Sequence, residues 1–444
     1  EIESAFQRDR IPTVVLSKSS GPTPFGRSTA NLGRGEKSCG FGLSFNPDAL
    51  RCPDCRCSKM NRITAILFLV ANVVCALPLN AANSGPVRVL FLGHDGTGKG
   101  QASHKPEMAF PKLAQALGRD AIYFDYTTSV EEALGDAAYL AKFDALLMYC
   151  NHASITPKQW SNLKAYVENG GGFVPVHSAS WCFADQPDFF DLVGGRFAGH
   201  KTGVFKLKTL LRSHVAIKDV PELEAWDETY RHDRHNPKNR TVLQVREVTA
   251  PDDNITKPEP WTWIRTEGRG RVFYTASGHD ERVWNRGEFH ALLRKGILWA
   301  IGDRRRAAYE KFVAGRTPLA YVRRDNIPNY EKRPEPLKYQ LPLAAQDSLQ
   351  YTRVPVGFRL ELFAGEPDIV NPICMAWDHR GRLWVAETVD YPNELTDDRK
   401  GRDSIKILED TDGDGRCDQV KTFATGLNIP TSITFADGGV IVAH

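Results

Sequence analysis

The part of the sequence that most restricts the fold runs from Gly170 to Ser180. It reads GGGFVPVHSAS: three glycines, a short apolar run, and a histidine, His177, where the run stops. An apolar run this short, between glycines and a polar turn, predicts a strand that is buried on both faces. Ligands of open α/β sheets gather at the carboxyl ends of such strands. His177 is therefore predicted to lie where chemistry takes place.

Strand-like and helix-like segments alternate on both sides of this predicted strand. Other strands are predicted at 87–92, 121–126, 145–149, 204–210, 242–246, 261–265 and 271–275, and helices at 106–117, after Thr156–Pro157, and at 288–301. A strand–helix alternation predicts an α/β doubly wound sheet that is parallel and covered by helices.

The composition is that of an ordinary globular protein with room for two domains. Hydrophobic residues make up 41% of the 444 residues and charged residues 25%. Lys plus Arg number 57 and Asp plus Glu 54, so no excess of positive charge indicates nucleic acid or an anionic membrane as a partner. The densest basic run, Arg304-Arg305-Arg306, is interpreted as the solvated end of a helix.

The amino-terminal region does not have the pattern of a folded domain. Residues 1–59 lack sustained periodicity and are expected to be a disordered, non-native upstream extension. Met60 then opens a new pattern, with Arg62 followed by a mostly apolar run from Ile63 to Leu77. This pattern predicts a signal peptide over 60–83, so the protein is expected to be exported, periplasmic or attached to the cell envelope. The run is short for a membrane span, and no integral span is expected after cleavage.

Cysteines in the region expected to be mature are few and scattered. They are Cys150, Cys182, Cys374 and Cys417, which do not suggest a disulfide framework. Cys150 ends a predicted strand, which invites comparison with a nucleophile elbow, but its neighbours Tyr149 and Asn151 are not small. We interpret Cys150 as a buried structural thiol, and Cys182 as the better candidate to line a site.

The loop after the first strand of the sheet nearly matches a phosphate-binding loop. Gly93 to Gly100 reads GHDGTGKG, but the last position lacks the hydroxyl that holds Mg²⁺, and Pro106 interrupts the following helix. Nucleotide binding is therefore not expected. The loop opens beside His177 in a doubly wound sheet, so His94 and His104 are predicted to contact the substrate.

Four more residues are predicted to join His177 at loop positions. His200 closes GGRFAGH, Glu228 lies in AWDETY, and His279 and Asp280 follow the strand that ends at Thr275. Imidazoles beside a carboxylate can bind a divalent metal or run acid–base chemistry near neutral pH. We predict that His177, His200 and His279 hold a divalent metal. Glu228 or Asp280 would act as the general base, with His177 also in a catalytic role.

Several separated motifs occur in an order that resembles the trehalose-utilisation (ThuA-like) family. They span 170–179, 194–200, 227–230, 268–284 and 296–300. The family is similar to the flavodoxin-like, class I glutamine-amidotransferase-like fold, and His177 stands where those amidotransferases carry a nucleophilic Cys. The resemblance implies catabolism of disaccharides through keto-sugars, at a pocket lined by His177, His200, Glu228 and His279. It predicts a ThuA-like domain over 84–303.

After a predicted linker at 304–350, the pattern changes to short strands at short spacing. Residues 351–444 resemble the start of a membrane-bound-dehydrogenase-type β-propeller, a truncated all-β segment whose further propeller and cytochrome c domains would be missing from this chain. No Cys-x-x-Cys-His is present, so haem is not expected here. The run DTDGDG, which matches half of a calcium loop, predicts a Ca²⁺ site at Asp410, Asp412, Asp414 and Asp418.

The leading functional prediction is an exported enzyme that acts on a carbohydrate at a His/Glu site. A second reading is a non-catalytic carbohydrate-binding module that delivers substrate to the propeller. In that reading Trp181, Trp261 and Trp263 would stack on sugar rings, although core packing of these side chains is equally consistent with the sequence. Trp181 and Tyr230 are predicted to bind substrate in either case. A Cys-dependent amidotransferase-like hydrolase is the third alternative.

Overall fold

The structure is a computed structural model that describes most of the chain after residue 83. The described residues are 13–18, 84–98, 101–248, 255–324, 329, 332–333, 337–391, 401–436 and 438–444. At 13–18 only the backbone is described, as strand β1 (Thr13–Lys18). The rest of the predicted upstream extension and the predicted signal peptide at 60–83 lie outside these residues. Within them, no helix is both long enough and apolar enough to cross a bilayer.

A nine-stranded mixed sheet forms the centre of residues 84–303. Its strands are β2 (Val87–Leu92), β3 (Ile122–Thr127), β4 (Ala145–Met148), β5 (Gly172–Pro175), β6 (Arg196–Thr209), β7 (Glu224–Asp233), β8 (Arg240–Arg246), β9 (Glu259–Glu267) and β10 (Gly270–Thr275). The order is β3-β2-β4-β5-β10-β9-β8-β6-β7. The first five strands are parallel, as predicted, and the last four extend the sheet by antiparallel pairing. The parallel part is consistent with a flavodoxin-like fold.

Helices cover the sheet where the sequence carries start and stop signals. They are α1 (Pro106–Gly118), α2 (Val130–Leu134), α3 (Ala137–Leu140), α4 (Pro157–Glu168), α5 (Asp188–Val193), α6 (Glu281–Trp284), α7 (Gly287–Ala300) and α8 (Asp303–Ala314). A 3-10 helix spans His177–Trp181. Helix α4 begins with a complete capping box between Thr156 and Gln159 and has Pro157 at its first position. These contacts satisfy backbone N–H groups that the first turn would otherwise leave without partners.

The core lies between the parallel strands and the helices. Strands β4 and β5 are buried along their whole length, which explains why they lack the alternation of a half-exposed strand. At the start of β10, a Cβ on Gly270 would lie 1.9 Å from the carbonyl oxygen of Val167. Glycine at this position therefore lets β10 approach the end of α4.

The structure corrects the predicted linker and the reading of its basic run. Helix α8 occupies the first part of 304–350, so that part is not irregular. Arg305 is only 2% exposed, and its Nε and Nη2 donate to the Asp144 carboxylate at 2.8 and 3.0 Å. The sequence prediction of a solvated run was wrong for Arg305, because the first turn of α8 packs this side chain against the end of the α3–β4 connection.

The carboxyl-terminal part of the chain consists of small β-sheets. It contains β11 (Tyr321–Val322), β12 (Tyr339–Gln340), a short helix α9 (Ala345–Ser348), a 3-10 turn (Leu349–Tyr351), β13 (Phe358–Ala364), β14 (Pro372–Trp377), β15 (Leu383–Glu387), β16 (Asp403–Glu409), β17 (Gln419–Leu427), β18 (Ser432–Ala436) and β19 (Gly439–Ala443). Strands β14 to β17 form one antiparallel sheet, β18 pairs with β19, and β13 pairs with β1. This region is β-rich as predicted, while the propeller remains a prediction.

Candidate active site

The candidate site lies at the carboxyl ends of β5 and β10, where the β6–β7 hairpin brings in further side chains. His177 follows β5 and His279 follows β10. His200 and Glu228 lie on β6 and β7, with His200 opposite Tyr230 in the strand register. The prediction that they occupy loops was wrong, because the region around Glu228 forms a strand that the sequence analysis did not recognise.

His177 is fixed so that one ring nitrogen faces the centre of the site. Its imidazole is fully buried, and Nδ1 lies 2.6 Å from the carbonyl oxygen of Ala276. A carbonyl oxygen can only accept, so Nδ1 carries a proton, and in the neutral form of the ring the lone pair lies on Nε2. The ring also stacks on Tyr230, at 3.9 Å between centroids. The backbone of His177 is left-handed, with φ of 47°.

Glu228 is surrounded by three imidazoles. Its carboxylate oxygens lie 3.3 Å from His177 Nε2, 3.4 Å from His279 Nδ1 and 3.5 Å from His200 Nε2. Burial opposes ionisation of Glu228, but contact with His177 and the other imidazoles outweighs it and lowers the pKa to about 2. Glu228 therefore carries a negative charge in a nearly closed environment, since its side chain is only 9% exposed.

His104 completes the cluster from the loop that precedes α1. The residue is 8% exposed, and its ring centroid lies 5.2 Å from that of His177 and 4.9 Å from that of His279. Neither of its nitrogens has a hydrogen-bond partner among the described residues. Burial, followed by the neighbouring imidazoles, lowers the pKa of His104 to about 2, and burial also lowers the pKa of His279. Both rings are therefore held neutral, with lone pairs available.

Four side chains have the geometry of a metal-ligand set. His104, His177, Glu228 and His279 each offer one ligand atom, and these atoms all lie within 4.8 Å of one another. Tetrahedral ligands about 2.1 Å from a zinc ion lie about 3.4 Å apart, so the set would contract by up to about 1.4 Å around such an ion. Three neutral imidazoles and one carboxylate suit zinc, iron, copper or nickel rather than calcium or magnesium. The hydrogen bond from Nδ1–H of His177 to a backbone carbonyl is the kind of contact that orients a metal-binding imidazole.

The residue that sequence reasoning missed is Asp227. Its carboxylate is fully buried and accepts the backbone N–H groups of Glu228, Gly278, His279 and Asp280, at 2.9 to 3.0 Å. Burial raises the pKa of Asp227 to about 6, while the N–H donors oppose the rise. Asp227 thus ties the loop after β10 to β7 and sets the position of His279. The only sign of this contact in the sequence is that Asp227 adjoins Glu228 and that the loop containing Gly278 has backbone N–H groups to satisfy.

Other predicted site residues lie apart from the cluster or are buried in packing. The Asp280 carboxylate accepts hydrogen bonds from the Nε–H of Arg282 at 2.6 Å and from its backbone N–H at 2.9 Å, and so caps α6. Tyr230 is 2% exposed and packs under His177, while Trp181 is half-buried. His94 is buried, with Nδ1 accepting the N–H of Gly96 and Nε2 without a partner in the described part of the chain.

Two sets of residues named by the alternative functions are fully buried. Trp261 and Trp263 are 0% exposed and donate their indole N–H groups to Ser277 Oγ and the carbonyl of Val193. They cannot stack on a sugar, because no face of either ring is open. Cys150 and Cys182 are also 0% exposed, with their sulfur atoms 3.8 Å apart. Burial raises the pKa of Cys150 well above the usual value, so its thiol stays protonated.

The predicted calcium loop forms a turn after β16. Asp410, Asp412 and Asp418 offer oxygen atoms within 4.8 Å of one another. Asp414 does not join this group, and its carboxylate accepts the backbone N–H of Arg416 at 2.8 Å. Backbone N–H groups of Gly413 and Gly415 donate to Asp410. The turn is therefore held by its own hydrogen bonds.

Comparison with known families agrees with the resemblance read from the motifs. Residues 88–300 match the family model described as trehalose utilisation (ThuA). This part of the chain is a ThuA-like domain. Residues 344–444 match a domain of unknown function (DUF7133). A search of curated proteins found no match.

Solved structures similar to the ThuA-like domain include two ThuA-like proteins. The protein from Bacteroides uniformis is 19% identical, with a TM-score of 0.42 over 49% of this chain and 92% of its own. The protein from Parabacteroides merdae is 18% identical, with a TM-score of 0.41 over 49% of this chain and 90% of its own.

Proposed function

We propose that the ThuA-like domain is a metal-dependent enzyme that acts on a carbohydrate of the disaccharide or keto-sugar class. One observation carries the metal part. The Nδ1–H of His177 is tied to a carbonyl, so Nε2 faces a carboxylate oxygen 3.3 Å away and has no hydrogen-bond partner among the described residues. Such a pair is stable only when a proton or a metal cation lies between the two atoms, and the two further imidazoles beside Glu228 favour the metal cation. The substrate class rests on the trehalose-utilisation description of the matching family.

In this proposal Glu228 is a ligand rather than a general base. A divalent cation held by His104, His177, Glu228 and His279 would polarise a substrate carbonyl or lower the pKa of a bound water. His200 remains as the group that exchanges a proton with substrate. Its side chain is 37% exposed, the most open of those that contact Glu228. Asp280 has no role in proton transfer here, because Arg282 holds its carboxylate.

Most of the side chains named for the two alternative functions are buried. A carbohydrate-binding module would require an open aromatic platform, but Trp261 and Trp263 are buried and only Trp181 of the three named tryptophans is partly exposed. A Cys-dependent hydrolase would require an accessible thiolate, whereas Cys150 and Cys182 are buried. Both remain as outcomes of the experiment below.

For the rest of the chain we keep the proposals made from sequence. The protein would be exported to the periplasm or cell envelope. Residues 351–444 would belong to a dehydrogenase-type propeller that is coupled to the ThuA-like domain. The turn formed by Asp410, Asp412 and Asp418 would bind Ca²⁺, with carboxylate oxygens as the hard ligands that this ion prefers.

The proposal is tested on the full chain by metal analysis and turnover. The protein is stripped with a chelator, reloaded with Zn²⁺, Mn²⁺ or Co²⁺, and assayed with trehalose and its keto derivatives. We expect about one metal ion per ThuA-like domain. His177→Gln and Glu228→Gln should lose both metal and turnover, while His200→Gln keeps the metal and loses turnover. The matched control is His214→Gln, a partly exposed histidine of the same domain outside the cluster.

Each other outcome points to a different function. A wild-type protein that binds no divalent metal, and whose turnover survives chelation, overturns the metal proposal. Sugar binding without turnover in every metal form supports the binding module. Loss of turnover in Cys182→Ala, with metal retained, supports the hydrolase.

A further inference from the structure

A buried chain of polar side chains reaches the backbone of His177. It consists of Glu259, His232 and Tyr274, which we call the support chain; they are 6%, 4% and 0% exposed. Glu259 Oε1 lies 3.0 Å from His232 Nδ1, and His232 Nε2 lies 2.9 Å from the Tyr274 hydroxyl. That hydroxyl lies 3.1 Å from the carbonyl oxygen of His177. The chain therefore ends on the backbone of a predicted ligand.

The carboxylate of Glu259 sets the orientation of the support chain. Glu259 Oε1 also accepts the backbone N–H of His232 at 2.9 Å. An ionised carboxylate can only accept, so Nδ1 of His232 carries a proton. Burial opposes ionisation of Glu259, but its hydrogen bonds with His232 outweigh it and lower the pKa of Glu259. Burial lowers the pKa of His232, so Nε2 of the neutral ring accepts the single proton of the Tyr274 hydroxyl. The hydrogen bond to the His177 carbonyl then comes from Ser180 Oγ, which lies 3.0 Å from that carbonyl oxygen and 3.0 Å from the Tyr274 hydroxyl.

The backbone of His177 needs such support. Its φ of 47° is a left-handed conformation that costs a non-glycine residue about 1 kcal/mol or more. The hydroxyls of Ser180 and Tyr274 lie 3.0 and 3.1 Å from the His177 carbonyl oxygen, and 3.0 Å from each other. Contacts on this carbonyl restrict the backbone of His177, and the backbone fixes the position from which the imidazole projects. Trp263 stacks on Tyr274 at 4.2 Å and limits movement of its ring.

We infer that the support chain of Glu259, His232 and Tyr274 positions His177, so that its Nε2 faces Glu228 in the orientation that binds a metal. These three are positioning residues, because none of them is a member of the cluster formed by His104, His177, Glu228 and His279. The inference deepens the proposed function and rests on it for the metal, while the orientation of His177 can be measured without one.

The decisive variant is Tyr274→Phe, which removes the hydroxyl and keeps the ring. The matched control is Tyr166→Phe, since Tyr166 is another buried tyrosine, and its hydroxyl also lies 3.1 Å from a backbone carbonyl oxygen, that of Phe143. Glu259→Gln is the second variant, in case Tyr274→Phe does not fold. The full chain is titrated with Co²⁺, and the absorption spectrum of the bound ion reports the geometry of its ligands.

We expect Tyr274→Phe to weaken Co²⁺ binding about 10- to 100-fold and to change the Co²⁺ spectrum. Glu259→Gln should change both in the same direction. Tyr166→Phe should keep the Co²⁺ affinity and the spectrum of the wild type, although both tyrosine substitutions should lower the melting temperature by a few degrees. A Tyr274→Phe protein with wild-type affinity and spectrum would overturn the inference, because it would show that the support chain only stabilises the fold.

A measurement on the metal-free protein separates this inference from the proposed function. The ¹⁵N shifts of the His177 imidazole, identified by their loss in His177→Gln, should show the Nδ1–H tautomer in the wild type. In Tyr274→Phe we expect a mixture of tautomers. If the wild type binds no Co²⁺, the proposed function fails, and these shifts alone decide whether the support chain orients His177. Unchanged shifts in Tyr274→Phe would then refute it.

Discussion

Replacing Asp227 by Asn tests whether one buried carboxylate holds the loop that carries His279. In the wild type, Oδ1 of Asp227 accepts three backbone N–H groups and Oδ2 accepts the N–H of Gly278 at 2.9 Å. An asparagine that keeps its oxygen at the Oδ1 position places an NH₂ group against the N–H of Gly278. That buried donor is then unsatisfied, which costs about 1–3 kcal/mol. Removing a buried charge offsets part of this cost.

We therefore expect Asp227→Asn to lower the free energy of unfolding by about 2 kcal/mol, which corresponds to about 4–8 °C in melting temperature for a domain of this size. The measurement is urea unfolding of the metal-free chain at pH 7. Co²⁺ affinity should fall as well, because the loop that holds His279 loses its anchor. The control is Asp233→Asn on the same strand, which breaks an exposed pair with Arg196 and should cost no more than about 1 kcal/mol. Equal unfolding midpoints for Asp227→Asn and the wild type would refute this reasoning.

Three further predictions follow from other buried groups. Arg305→Ala should lower the free energy of unfolding by about 3 kcal/mol, since it leaves the Asp144 carboxylate, 14% exposed, with the backbone N–H of Arg88 but without its charged partner. The exposed control Arg304→Ala should change the free energy of unfolding by no more than about 0.5 kcal/mol in the same urea assay. Burial lowers the pKa of His94 to about 4 and that of His104 to about 2. Below pH 6.5 the unfolded chain therefore binds more protons than the folded chain, so the free energy of unfolding falls as the pH falls. At pH 5 the loss is about 2 kcal/mol for each of the two histidines. In the presence of a chelator, His94→Gln and His104→Gln should make the urea midpoint of unfolding depend less on pH between pH 7 and pH 5, whereas the exposed control His379→Gln should not. Parallel profiles for the wild type and all three variants would contradict the predicted loss of stability at low pH. Cys150→Ala and Cys182→Ala should retain metal and turnover but unfold at a lower urea concentration, because each change leaves a cavity in the core. Loss of turnover at full metal content would argue against the structural role of these thiols.

The parallel half of the sheet could be predicted because its signals are local. Apolar runs such as 87–92 and 145–149 are long enough to mark buried strands, and Thr156 with Pro157 marks a helix start. Strand β7 escaped prediction because its run of charged and aromatic residues, EAWDETYRHD, has neither a clean alternation nor an apolar stretch. Its strand character depends on pairing with β6, which is a tertiary contact.

The site was predictable in part for the same reason. His177 and His279 follow parallel strands, so the rule for open sheets places them at one edge. The sequence named His104 only as a substrate contact, and its position 4.9 Å from His279 between ring centroids depends on how the loop before α1 folds back. Asp280 was predicted as a base because it adjoins His279, whereas the first turn of α6 places Arg282 against its carboxylate.

The sequence by itself determined the alternation of strands and helices in the parallel half of the sheet, and the residues at the ends of the parallel strands. Periodicity, glycines and caps act over a few neighbouring residues, so they can be read along the chain. Only the tertiary structure decided that Glu228 meets three imidazoles, that Asp227 anchors the neighbouring loop, and that Trp261 and Trp263 belong to the core. Burial and contacts between residues far apart in sequence set these outcomes, because the same side chain can face solvent, a carboxylate or the core without any change in its local pattern.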